Sequence, residues 1–84
     1  NYQNPIESAI TTINLEKNDS RQDYLRAKLS RKKNGELSAT PFNYQDSSML
    51  LNFAKAECLI IRAPFAKALK KGNRVKIIRL DYFS

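Results

Sequence analysis

Asn34-Gly35 constrains the fold of this chain more than any other pair of residues. Both residues tolerate positive φ, which a type I′ turn requires at its two central positions and which matches the twist of a two-stranded ribbon. The segment before the turn alternates. Leu25, Ala27 and Leu29 fall on one side, and Tyr24, Arg26, Lys28 and Ser30 fall on the other, the period of a half-buried strand. Residues 22–32 are therefore expected to pair with 36–42 as antiparallel strands. Pro41 has no N–H to give to a ladder, so the second strand should end there or lie at an edge.

The same reading extends along the chain. Residues 9–16 form a predicted strand with Ala9, Thr11, Ile13 and Leu15 on one face. Asn18-Asp19-Ser20 is turn-forming, because short polar side chains can hydrogen-bond their own backbone. Leu50, Phe53 and Ala54 fit an i, i+3, i+4 stripe behind a capping Ser47 or Ser48, which predicts a short helix at about 48–55. A buried strand is expected over 58–62, stopped by Pro64, and a final strand over 74–82, after the turn at Gly72-Asn73. Short strands, turn residues and one helical turn predict an all-β fold: a small bent-ribbon (β-clip-like) incomplete barrel with one short helix.

Size and composition narrow the function classes. With 84 residues the chain reads as a single domain, residues 1–84. It carries 15 Lys and Arg against 8 Asp and Glu, a net charge of +7 that favours anionic partners. It has no histidine, so histidine acid–base or triad catalysis within the chain is excluded. Cys58 is the only cysteine, which excludes an intrachain disulfide or a cysteine zinc site. No run approaches the roughly 18 apolar residues of a membrane span, and residues 1–5 lack signal-peptide character. The expectation is a cytoplasmic chain, not membrane-bound, cut from something larger.

Several motifs recur in a fixed order: Arg21-Gln-Asp-Tyr24-Leu-Arg26, then Gln45-Asp46-Ser47-Ser48, Ala56-Glu-Cys58-Leu-Ile-Ile, Pro64, and Gly72-Asn-Arg-Val75-Lys-Ile77. In that order and spacing, from about residue 9 to 80, they resemble the C-terminal domain (domain IV) of molybdopterin molybdotransferases, the MoeA and gephyrin family. The resemblance implies that the chain is the C-terminal domain of a larger protein whose upstream domains are not in this sequence. It also implies a role in molybdenum cofactor biosynthesis, with molybdopterin-adenylate and molybdate as substrates of an elongated homodimer. The catalytic residues and the Mg2+ ligands would lie in those upstream domains, so no catalytic or metal-binding residue and no cofactor is expected here, and this chain alone should be inactive. Two positions depart from the family: Asp46 stands where it usually has Gly, and Ser48 where it often has Gly or His. Asp is tolerated if that Gly serves positive φ, and is repulsive if it admits an anion to the backbone.

By the resemblance, Arg26 and Ser47 are substrate-binding residues, with Arg21, Lys28 and Ser48 as further anion contacts. Arginine suits this chemistry because its planar fork of donors matches phosphate and molybdate oxygens. Each has a plainer reading: Arg26 and Lys28 as an ordinary solvated strand face, Ser47 as a helix cap, Arg21 as an exposed turn residue. Tyr44 could stack on a pterin or pack on its own domain. The competing function is a small basic β-barrel that binds nucleic acid, with Arg31-Lys32-Lys33 beside the hairpin turn contacting phosphates. The scattered aromatics argue against base stacking, and so against nucleic acid as the partner. A third reading is a protein-interaction module, because gephyrin-type relatives hold receptor peptides in this region.

Overall fold

The computed structural model describes residues 6–42 and 56–80, which form five strands. These are β1 (Ile6–Thr11), β2 (Asp23–Arg31), β3 (Leu37–Pro41), β4 (Cys58–Arg62) and β5 (Arg74–Arg79). Their order is β1-β3-β2-β4-β5, closed into a barrel. The all-β, barrel-like expectation holds, and the barrel closes where the sequence suggested an incomplete one. Closure comes from β1, which pairs antiparallel with β5 from Ile6↔Ile78 to Ile10↔Arg74 and parallel with β3 at Ile10↔Ser38 and Thr11↔Ala39. The helix expected at about 48–55 lies outside the described residues.

The hairpin forms as expected, from Ala27↔Pro41 to Arg31↔Leu37, and β3 ends at Pro41. The turn has a different geometry. Gly35 has φ +91° and Asn34 is not at positive φ. The Gly35 N–H donates to the Lys32 carbonyl, and the Lys32 N–H donates to the Glu36 carbonyl. This is a three-residue loop whose left-handed glycine takes up an extra residue, rather than a type I′ pair. The Asn34 side chain holds it by accepting from the Glu36 N–H at 3.0 Å.

Strand β1 starts and ends earlier than the alternation predicted. Thr11 Oγ1 donates to the Ile13 carbonyl at 2.8 Å, a local side-chain bond that turns the chain. Ile13, just past this bond, is consequently 44% exposed. Leu15 re-enters the core through a single bridge, its N–H donating to the Leu69 carbonyl at 2.7 Å and its carbonyl accepting from the Leu69 N–H at 2.9 Å.

A five-strand barrel has a narrow interior, so its inward positions combine small and large side chains. Ala9, Ala27, Ala39 and Cys58 occupy the tight places, and Leu15, Ile60, Val75 and Ile77 fill the rest. Leu25 and Leu29 pack against this cluster from β2. At the turn after β4, Pro64 is followed by Phe65 at φ +60°, a conformation uncommon for a bulky side chain. Its N–H donates to the Asp19 carbonyl at 2.7 Å, which ties this turn to the loop before β2. Among the described residues no helix is long and apolar enough to cross a membrane.

Candidate functional site

Strand β2 is the longest strand among the described residues, and it sits between β3 and β4. Its inner row is Leu25, Ala27 and Leu29, with Ala27 wholly buried. Its outer row, Tyr24, Arg26, Lys28 and Ser30, is exposed. Arg26 and Lys28 therefore share one face, about 7 Å apart along the strand. Cross-strand, Arg26 lies opposite Leu59 and Lys28 opposite Thr40. The local reason is the alternation itself, since a one-residue slip would bring both cations into the core.

The connection carrying Gln45–Ser48 is anchored on both edges of this same strand. The Phe42 N–H donates to the Arg26 carbonyl at 3.1 Å, and the Glu57 N–H donates to the Ala27 carbonyl at 2.9 Å. Glu57 adds a side-chain bond, its Oε1 accepting from the Leu29 N–H at 3.0 Å. The chain thus leaves β3 on one side of Arg26 and returns to β4 on the other. Tyr44, Ser47 and Ser48 lie outside the described residues.

Arg21 stands apart from this face. It occupies the bend before β2, where its N–H donates to Asp19 Oδ1 at 2.9 Å and its carbonyl accepts from Asn18 Nδ2 at 2.6 Å. It lies five residues before Arg26 in sequence, outside β2. Two cations bonded to the hairpin turn region, Arg31 of β2 and Arg74 of β5, also have local roles. Arg31 donates from Nη1 to the Gly35 carbonyl at 2.8 Å, and Arg74 pairs with Glu36 at 3.1 Å.

Cys58 lies on the inner row of β4 with no exposed surface. Burial pushes its thiol up from 9.0 to about 11, the Glu57 carboxylate adds to the rise, and Arg79 opposes it. It is a packed, protonated thiol rather than a nucleophile. The folded chain holds this proton above the pH at which the unfolded chain loses it. The associated stability is fully present below about pH 9 and is lost as the pH rises through about 11. Urea unfolding of the wild type and of Cys58→Ala at pH 8 and pH 11 should show the wild type losing on the order of 2 kcal/mol more than the variant. Parallel losses would contradict the assignment.

Sequence reasoning missed Arg62. It follows the apolar run in β4, and the alternation Cys58, Ile60, Arg62 was the signal that placed it inward. It is only 6% exposed, and its Nη2 donates to the carbonyls of Glu16 at 2.7 Å and Lys67 at 2.9 Å. Asn18 Nδ2 reinforces the junction by donating to the carbonyls of Arg62 and Ala63. Among the described residues no three His, Cys, Asp or Glu side chains converge as metal ligands would.

Comparison with known protein families matches residues 8–80 to the MoeA C-terminal region (domain IV). The chain belongs to that family. A search of curated proteins finds no match. The match runs from β1 to the end of β5, so it covers the closed barrel and the connection between β3 and β4. For a MoeA domain IV chain, membership implies a part in molybdenum cofactor biosynthesis.

Proposed function

We propose that this chain is the last domain of a molybdopterin molybdotransferase, and that the outer face of β2 offers Arg26 and Lys28 to the oxyanions of its substrates. The family match across the barrel supports the first part of this reading. The paired exposure of Arg26 and Lys28 supports the second. Adenylylated molybdopterin carries phosphate groups and molybdate is itself an oxyanion. An arginine fork with a neighbouring ammonium suits both, as directed donors and a point charge respectively.

In this reading Arg26 and Ser47 contact substrate, with Lys28 and Ser48 nearby and Arg21 a more remote electrostatic contributor. The face completes a cleft whose other wall belongs to a second subunit of a homodimer in the cytoplasm. The upstream domains hold the divalent cation, Mg2+, which assists hydrolysis of the adenylate. This barrel binds and orients, and it carries no step of bond cleavage.

The expected result is a sharp division of activity. The 84-residue chain incubated with adenylylated molybdopterin, molybdate and Mg2+ should release no AMP above the uncatalysed background, while the full-length protein does so under the same conditions. AMP release by the chain alone would contradict the division of labour. Failure of the full-length protein would contradict the molybdotransferase reading itself.

A further inference from the structure

Arg62 is more than nine-tenths buried, and among the described residues no carboxylate lies within ion-pair distance of it. Nη2 uses both of its protons on the carbonyls of Glu16 and Lys67, whereas Nε and Nη1 make no hydrogen bond with the described residues. Neither atom is sealed from solvent without a partner. A buried cation is costly unless it is paired, and backbone carbonyls supply dipoles rather than a counter-charge.

Arg62 borders a cleft. A space of about 510 Å³ opens at this end of the barrel, lined by Arg62, Lys17, Asn14 and Asp23 among others. Asn14 Oδ1 accepts from the Lys71 N–H at 2.8 Å, which leaves its amide nitrogen as a donor. The wall is held by Asn18, whose side chain is committed to backbone carbonyls. Asp23 is the cross-strand neighbour of Arg62 yet forms no ion pair with it.

We propose that this cleft is a binding site for a small oxyanion, a carboxylate or a phosphate group, that accepts from Nη1 of Arg62 with Lys17 as a second cation. The site lies inside the end of the barrel, whereas Arg26 projects from the outer face of β2, so it is independent of the proposed substrate face. Asp23 opposes the ligand's charge, and Glu16, which also lines the cleft, adds to that opposition. Both favour a small anion over a polyanion.

The test is amide NMR of the 84-residue chain, titrated separately with inorganic phosphate and with acetate at constant ionic strength. Saturable shifts confined to residues 14–18 and 62–67 are expected with at least one of the two. Phosphate alone, acetate alone or both would each support the site and identify its ligand chemistry. Arg62→Met should weaken binding by 10-fold or more, since a charge-assisted contact is lost. Asp23→Asn should tighten it about fivefold by removing a neighbouring like charge. The second variant keeps the Arg62 clamp, so it decides the question if Arg62→Met does not fold. Linear, unsaturated shifts spread over the basic surface with both anions would overturn the proposal. So would an affinity that Asp23→Asn leaves unchanged.

Discussion

Ile60→Ala is expected to destabilise the barrel by about 2–5 kcal/mol, the usual range for truncating a fully buried isoleucine. Ile60 has no exposed surface and stands at the centre of the core, opposite Leu25 on β2 and Ile77 on β5. Three strands therefore share the cavity that the truncation would leave. The neighbouring inward positions include Ala27 and Cys58, which are too small to collapse into the gap. A domain of this length has a total stability of roughly 4–13 kcal/mol, so the loss is a large share of it. Urea unfolding should show the midpoint falling with little change in slope. Truncation of the exposed Tyr24 in the same strand pair should cost under about 1 kcal/mol, and equal losses at the two positions would place the core elsewhere.

The parts of the fold that the sequence revealed are those governed by local rules. The alternation of Leu25, Ala27 and Leu29 determined which face of β2 is buried, and Pro41 marked the end of β3. Cys58–Arg62 formed the expected strand, and Gly72 formed a turn at φ +92°. Non-local pairing was not legible. Nothing in residues 6–11 states that β1 must lie between β5 and β3, because a short apolar strand does not encode its neighbours. The first strand, expected over 9–16, was carried too far because its alternation continues past Thr11, where a hydroxyl–carbonyl bond turns the chain. The hairpin was found, but its turn type was not, because Asn-Gly suits more than one loop and the side-chain bond to Glu36 was not foreseen.

For the site, the same alternation brought Arg26 and Lys28 onto one outward face and left Arg21 in the preceding bend. The family resemblance, not periodicity, supplied a chemical reason to choose that face over other basic stretches. Arg62 escaped notice because a charge at the end of an apolar run reads as a strand terminus. Only the closed topology shows that loop carbonyls of Glu16 and Lys67 converge on it.

Arg26→Ala in the full-length protein tests the central claim, that this barrel contributes an anion contact to molybdenum insertion. A charge-assisted contact to a substrate oxyanion contributes roughly 1.5–3 kcal/mol, so kcat/KM should fall by about 10- to 100-fold. Arg26→Lys should recover only part of the loss, because the ammonium keeps the charge and lacks the planar fork. The barrel should remain folded, since Leu25, Ala27 and Leu29 carry the inner row of β2. The decisive measurement is kcat/KM for AMP release from adenylylated molybdopterin in the presence of molybdate, with the thermal midpoint of each variant recorded alongside. The account predicts a loss of at least 10-fold in Arg26→Ala at an unchanged midpoint. Wild-type turnover in that variant would reduce Arg26 to a surface residue and contradict the claim.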